Sequence, residues 1–283
     1  MKSFFQLLKE TMTAWSAHKA PKMGAALAYY TTFSMAPLIM LTVGGVGLVV
    51  EKNDARAAVV SELTGLIGKE GGVIAEAILT SSARQQTGLW ATLVGLVVLF
   101  VGASGVFAEL QDSLNTIWEV PPRARAWHAL IRERLLSFAM VFVLGFLMLV
   151  SLLLSAGIAA LSAGMKGWAP AFGIVWEGAN AFVSFFVMTA LFAAIYRFLP
   201  DVRIAWRDVW TGAVMTTLLF ILGKYVLGFY IARSAFASMY GAVGSLVVLL
   251  AWVFYSAQIF FFGAEFTRVF AHRNGSHSGH PAV

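Results

Sequence analysis

The last long apolar run of the chain, residues 243–269, is the feature that most constrains the fold. It reads VGSLVVLLAWVFYSAQIFFFGAEFTRV, and a run of about 18 or more apolar residues is already long enough for a transmembrane helix. Glu265 lies near the end of this run, where a carboxylate close to hydrocarbon requires a partner or a function. Several similar runs precede it, so the sequence predicts an integral membrane protein.

The composition agrees with a membrane protein. Hydrophobic residues make up 59% of the 283 residues and charged residues only 12%, whereas soluble domains carry about 25% charged residues. The chain has no cysteine, which excludes disulfides, thiolate metal sites and cysteine nucleophiles. The net charge of +6 would suit nucleic acid, but the basic residues flank the apolar runs, where membrane topology places them.

Six apolar segments have the length of membrane spans. About 20 helical residues, at 1.5 Å each, cover the roughly 30 Å hydrocarbon core. We therefore predict an all-α, polytopic membrane helical bundle with six transmembrane helices in residues 24–270, followed by a disordered tail in 271–283. The predicted spans are Gly24–Val50, Gly88–Ala108, Leu135–Ala163, Ala179–Leu199, Val209–Ile231 and Val243–Phe262.

The basic residues predict the orientation of these spans. Of the 20 Lys and Arg residues, 13 fall on one side of the predicted spans and 6 on the other, while Lys224 lies within the fifth span. Cytoplasmic loops carry the excess of Lys and Arg in membrane proteins. The side with 13 basic residues includes both ends of the chain, so both termini are predicted to be cytoplasmic.

The N-terminal segment, residues 1–23, has an amphipathic pattern. Its apolar residues recur at helical spacing and leave the lysines on other faces, which favours an interfacial helix on the cytoplasmic side over a loosely ordered tail. The residues of the apolar face are Phe5, Leu8, Met12 and Trp15.

Residues 54–83 form the only sizeable predicted segment outside the membrane, and they fall on the side opposite to the termini. Helical spacing of apolar residues appears twice, before and after Gly71-Gly72, which predicts two short amphipathic helices separated by the glycine pair. Such helices serve either as interfacial connectors or as a lid over a cavity, and the pattern alone leaves both interpretations open.

Two charged residues are candidates for binding a substrate. Glu265 either pairs with Arg268 one turn on, or faces the bundle and binds a cation, a proton or a lipid headgroup. Lys224 lies about 15 residues into the fifth span, roughly 22 Å from its start. It either binds a phosphate or carboxylate group, snorkels to the outer surface, or pairs with a neighbour such as Glu177 or Glu51.

Other polar residues lie along the first two spans. Pro37 falls midway along the first span, after Tyr30 and Ser34, and predicts a helix kink because proline removes a helical hydrogen bond. A kinked, glycine-rich helix either bends around a substrate path or packs closely against a neighbour. Asn115 ends a polar stripe after the second span, which is either a polar gate or an ordinary solvated helix end.

Motifs for catalysis, metals and phosphates are absent from the sequence. There is no P-loop, no HExxH and no GxSxG elbow, and His18 and His128 stand isolated in the sequence. We therefore predict that the chain is not an enzyme, needs no cofactor or metal, and does not bind nucleic acid.

Four long motifs make the chain similar to the YihY/BrkB family of bacterial inner-membrane proteins. They are GAALAYYTTFSMAPLIM (24–40), LQDSLNTIWEV (110–120), YRFLPDVRIAWRDVWTGAVMTTLLFILGKYVLGFY (196–230) and YGAVGSLVVLLAWVFYSAQIFFFGAEFTRV (240–269). The resemblance implies a multi-pass protein of the bacterial inner membrane, with six spans and cytoplasmic termini. The family carries a virulence-factor name and an older ribonuclease BN label.

The resemblance also implies a role in moving lipids or lipopolysaccharide precursors. Combined with the basic loops, it predicts a protein that transports or handles an anionic lipid or other amphiphile in envelope biogenesis. A non-transporting scaffold for an envelope-assembly partner and a membrane-associated ribonuclease are the alternatives. The candidate substrate-binding residues are Lys224, Glu265, Tyr30, Ser34, Asn115 and Tyr255.

Overall fold

A computed structural model describes residues 2–47, 51–67, 69–84, 89–121, 171–233 and 236–276. These residues form α-helices, with no strand among them. The predicted third span and the final seven residues lie outside the described residues. The helices are α1 (Lys2–Ala17), α2 (Ala20–Val46), α3 (Lys52–Ile67), α4 (Lys69–Arg84), α5 (Leu89–Ile117), α6 (Ala171–Phe198), α7 (Trp206–Arg233) and α8 (Phe236–Asn274).

Three of the described helices are long and apolar enough to cross a membrane. The apolar segments are Ala181–Phe198 in α6, Trp206–Phe229 in α7 and Val247–Arg273 in α8. Large apolar side chains such as Phe182 and Phe229 are exposed on their outer surfaces, as expected of helices that contact lipid. The all-helical class is confirmed for the described residues, while the number of six spans and the orientation remain predictions.

The core of the bundle forms where α2, α5, α6, α7 and α8 pack together. Helix α2 contacts both α5 and α8, α7 lies against α8 and α6, and α1 packs along the end of α8. We use the term polar end for the end of the bundle where the α1–α2 turn, the end of α5, the α6–α7 connection and the end of α8 meet. It corresponds to the side on which the sequence places both termini.

Glycine–threonine pairs bring α7 and α8 into close contact. Gly212 of α7 lies against Thr267 of α8, and Gly263 of α8 lies against Thr216 of α7, so the same G-x-x-x-T spacing occurs on both antiparallel helices. Each threonine hydroxyl donates to the carbonyl of the glycine four residues earlier in its own helix. The contact therefore depends on backbone approach at the glycines, as is common between membrane helices.

The two helices predicted in residues 54–83 are present as α3 and α4, but Gly71-Gly72 does not separate them, so the position of the predicted break is wrong. Helix α3 ends at Ile67 and α4 begins at Lys69, and both glycines lie inside α4. The physical reason is packing, because a Cβ atom at Gly72 would collide with the Thr64 side chain of α3. Glycine permits the close α3–α4 hairpin, which packs in turn against α2 and α8.

Helix α2 runs as one helix from Ala20 to Val46 and passes through Pro37. The N-terminal amphipathic pattern forms the single helix α1, with Leu7 and Thr11 buried and Phe5 and Met12 exposed.

Candidate functional site

Four charged or titratable side chains cluster at the polar end, and three of them are largely buried. These four residues, which we call the ion cluster, are His18, Glu119, Glu265 and Arg268. The Nδ1 atom of His18 lies 2.5 Å from Glu265 Oε1, and its Nε2 atom lies 3.6 Å from Glu119 Oε1. Arg268 pairs with Glu119 through a guanidinium nitrogen, while its Nε lies 3.5 Å from Glu265 Oε2.

Two residues in the left-handed backbone region position the ion cluster. Helix α1 ends in a tight turn in which Lys19 has φ of 56°, and this turn directs His18 towards α8. Glu119, with φ of 53°, follows α5, and the amide of Val120 donates to the carbonyl of Asn115. Residues with a left-handed backbone conformation often end helices, but any residue other than glycine is strained in that conformation. Such strain often occurs at functional sites.

Disrupting the ion cluster costs free energy because three of its four side chains are largely removed from water. Glu265 is fully buried, Arg268 and His18 have side chains that are 11% and 18% exposed, and Glu119 is 40% exposed. Glu265 therefore faces protein and not lipid. It contacts Arg268 on its own helix and His18 in the α1–α2 turn. Removing one partner of a buried ion pair costs about 3–5 kcal/mol, since the other charge is left uncompensated.

Lys224 and Tyr255 lie together, but far from Glu265. They line a narrow cleft between α7 and α8 that leaves no room for a water molecule, and the Lys224 ammonium lies 5.7 Å from the centre of the Tyr225 ring. Lys224 on α7 lies at the same level as Tyr255 on α8. Tyr255 precedes Glu265 by ten residues, which corresponds to roughly 15 Å along the helix. The two charged candidates thus belong to different sites.

The remaining candidate residues make helix–helix contacts. Tyr30 and Ser34 lie on α2 against Gly105 and Gly102 of α5, with the Ser34 hydroxyl donating to a carbonyl of its own helix. These contacts agree with close helix packing, which was one of the two interpretations of the glycine-rich first span.

Asn115 connects the end of α5 to the α6–α7 connection. Its Nδ2 donates to Asp201 Oδ2 at 2.9 Å, and its Oδ1 accepts the Asp201 amide at 2.8 Å. Gln111 approaches the same carboxylate. Asn115 therefore fixes the α6–α7 connection to the end of α5 by hydrogen bonds.

A groove with a volume of about 700 Å³ opens beside the ion cluster, between α1 and the end of α8. Arg268 belongs both to the groove and to the ion cluster. Across the groove, Arg273 of α8 pairs with Glu10 and Gln6 of α1. The groove residues of α1 lie on a different helix face from the exposed Phe5 and Met12. They are Gln6, Lys9, Glu10, Thr13 and Ala14, opposite Arg268, Val269, His272 and Arg273.

Three important residues were missed in the sequence. His18, which stands isolated in the sequence, touches Glu265 at a separation of 247 positions, and no sequence pattern predicted this contact. Asp201 and Glu119 also gain their partners only through tertiary contacts. The one available signal was their position beside span ends, which many solvated residues share.

No group of three or more His, Cys, Asp or Glu side chains that could hold a metal ion occurs in the described ranges. Fold and site define a helical membrane protein with a buried ion cluster. The chain belongs to the Virulence factor BrkB family, whose profile matches residues 11–282. The resemblance seen in the sequence motifs is thereby confirmed.

Three relatives illustrate the comparison. The "Putative ribonuclease-like protein YfkH" of Bacillus subtilis (strain 168) is 24% identical over 262 residues, which cover 91% of this chain and 92% of YfkH. The "UPF0761 membrane protein RSc1559" of Ralstonia nicotianae is 27% identical over 250 residues, covering 86% and 54%. A "UPF0761 membrane protein" of Verminephrobacter eiseniae is 30% identical over 194 residues, covering 67% and 43%.

This chain thus spans nearly all of YfkH but about half the length of these two UPF0761 relatives. No solved structure matches the chain.

Proposed function

We propose that the protein is a multi-pass protein of the bacterial inner membrane that handles, and in its full activity transports, an anionic lipid. The observation that carries the proposal is the surface around α1. This helix exposes Phe4, Phe5 and Met12, and Lys9 is exposed on the same helix. An exposed apolar face beside lysines suits a helix that lies among lipid headgroups.

The charges of this surface favour anionic lipids over neutral ones. Lys9, Lys19 and Lys22 are all exposed, and none forms an ion pair with a carboxylate of the described residues. A lysine near a membrane surface contributes about 1 kcal/mol to attraction for anionic lipid. Their ammonium groups are therefore available to phosphates of lipid headgroups, in contrast to Arg268 and Arg273, which pair within the protein.

Lipid transport also requires a path across the bilayer, and Lys224 is our candidate for a residue on it. An ammonium within a span costs at least about 2.5 kcal/mol on insertion scales, and Lys224 lines the cleft between α7 and α8 together with Tyr255. The cleft around Lys224 is narrow, so a headgroup would enter only after α7 and α8 separate there. The variant Lys224→Met tests this separation of α7 and α8 through its effect on lipid movement.

A binding experiment tests the first part. Detergent-purified protein is titrated with phosphatidylglycerol and phosphatidylcholine, and bound lipids are counted by native mass spectrometry. Removing two lysines in the double variant Lys9→Gln, Lys22→Gln removes about 2 kcal/mol of attraction. The preference for phosphatidylglycerol should then fall about 30-fold, since 1.4 kcal/mol is a factor of ten.

The matched control removes two charges elsewhere at the polar end. Arg203 and Arg207 are exposed near the start of α7, away from α1, and the double variant Arg203→Gln, Arg207→Gln should keep the preference within about threefold. If both double variants lost the preference for phosphatidylglycerol equally, the preference would depend only on total charge. That result would refute a headgroup site at α1. Transport itself is measured as movement of labelled phosphatidylglycerol in proteoliposomes, against protein-free vesicles.

The groove between α1 and α8 favours a second candidate, the scaffold for an envelope-assembly partner. Its volume of about 700 Å³ and its mixed charges suit a short peptide segment better than an acyl chain. Under this hypothesis a charge reversal inside the groove, Arg273→Glu, abolishes co-purification of a defined partner, and lipid movement is absent from proteoliposomes. Lipid movement that survives Arg273→Glu would instead support the transport proposal.

A further inference from the structure

Both ring nitrogens of His18 face carboxylate oxygens. Nδ1 lies 2.5 Å from Glu265 Oε1, and Nε2 lies 3.6 Å from Glu119 Oε1 on the opposite side of the ring. A neutral imidazole carries a proton on one nitrogen and a lone pair on the other. One of the two contacts would then place a lone pair against a carboxylate, whereas an imidazolium donates towards both.

The charge balance of the ion cluster leads to the same result. Arg268 carries one positive charge, and Glu119 and Glu265 carry two negative charges when ionised. The cluster is neutral only if one further proton is bound, and Glu265, the most deeply buried member, has an oxygen, Oε2, without a hydrogen bond among the described residues. An uncompensated charge in such a place is costly.

We propose that His18 and its two carboxylate partners form a binding site for one exchangeable proton, which locks the α1–α2 turn onto the ends of α5 and α8. With the proton bound, the imidazolium bridges Glu119 and Glu265 and holds three elements together. When the proton leaves, Glu119 and Glu265 repel each other across a neutral ring, and the turn separates from α8. This inference does not depend on the proposed lipid function.

Several charged or titratable groups surround His18. Those near His18 in the described residues are Lys19 in the same turn, Glu119 after α5, and Glu265, Arg268 and His272 on α8. His272 faces away, since its Nδ1 lies 2.9 Å from the Arg268 carbonyl and its ring lies beside Trp118.

Linkage gives the sign of the effect. The locked state binds one proton more than the open state, so raising the pH favours opening, by up to about tenfold per pH unit. Ala20, fully buried at the start of α2, reports opening as a single cysteine because the chain has none of its own. The labelling rate of Ala20→Cys with a neutral maleimide is divided by that of Ser16→Cys at an exposed position, which removes the pH dependence of the thiol itself.

Protein in nanodiscs is labelled at pH 5.5 and pH 8.5. We expect the normalised rate to be at least about tenfold higher at pH 8.5. His18→Gln should be fast at both pH values, and Glu265→Gln, which balances Arg268 against Glu119 without a proton, should show no pH dependence. His272→Gln is the matched control and should retain the full dependence.

Two results would overturn the proposal. One is an equal normalised rate at both pH values in the parent protein. The other is a pH dependence that survives both His18→Gln and Glu265→Gln. Native-like elution and thermal unfolding of each variant at pH 5.5 establish that it is folded, and His18→Arg, which supplies a permanent planar cation, should stay slow at both pH values if folding is retained.

Discussion

The Gly212–Thr267 contact permits a quantitative test of how α7 and α8 are held together. In the substitution Gly212→Ala, the three atoms nearest to the added Cβ all belong to Thr267, whose Cβ lies 2.8 Å away and whose hydroxyl lies closer still. Rotation of the threonine side chain relieves the hydroxyl contact but not the Cβ contact. The two helices must therefore move apart locally by about 0.7 Å to reach an ordinary carbon–carbon distance of roughly 3.5 Å.

The expected change in the free energy of unfolding combines a packing cost with a gain in helix propensity. Overpacking of a tight contact costs about 1–3 kcal/mol, and a gap of this size forfeits about a quarter to a half of the dispersion energy of the atoms that it separates. Alanine regains at most about 1 kcal/mol of helix propensity over glycine. We expect Gly212→Ala to lower the free energy of unfolding by about 1–2 kcal/mol.

The assay is SDS-driven unfolding followed by fluorescence of the nine tryptophans. Moving the glycine to the other helix in Gly212→Ala, Thr267→Gly should recover at least about 1 kcal/mol relative to the sum of the single variants. Gly228 on the same helix has no neighbouring atom within 4 Å, so Gly228→Ala should be neutral or stabilising. An unchanged stability in Gly212→Ala, or additivity in the double variant, would refute the packing argument.

Four further outcomes are expected. Asn115→Leu should lower stability by about 0.5–1.5 kcal/mol, because the exposed Asp201 carboxylate and amide exchange the Asn115 side chain for water; wild-type stability would show that these hydrogen bonds are dispensable. Lys224→Met should remain folded and slow phosphatidylglycerol movement in proteoliposomes; unchanged movement would remove Lys224 from the lipid path. Reporter fusions at residue 283 should report the cytoplasm and those within 54–83 the periplasm, and the reverse would overturn the orientation. Purified protein should not cleave RNA; activity that persists through stringent purification and disappears on one point substitution would establish the ribonuclease instead.

Much of the architecture was readable from the sequence because it depends on local quantities. The length of an apolar run is set by the thickness of the bilayer, so α6, α7 and α8 appear where the last three predicted spans lie. The amphipathic spacing at the N terminus likewise predicts α1. Family membership follows from long contiguous motifs, which the profile match over residues 11–282 confirms.

The candidate site depended on tertiary structure for a different reason. Glu265 was recognisable alone, since a carboxylate in an apolar run is unusual, but its partner His18 is 247 positions away, and no local pattern encodes that pairing. The role of Gly72 was misread because glycine breaks a helix in one context and permits close helix packing in another. The local sequence thus determined which segments are helical and apolar, whereas only the packed bundle decided which faces meet, and therefore which polar groups share one buried site.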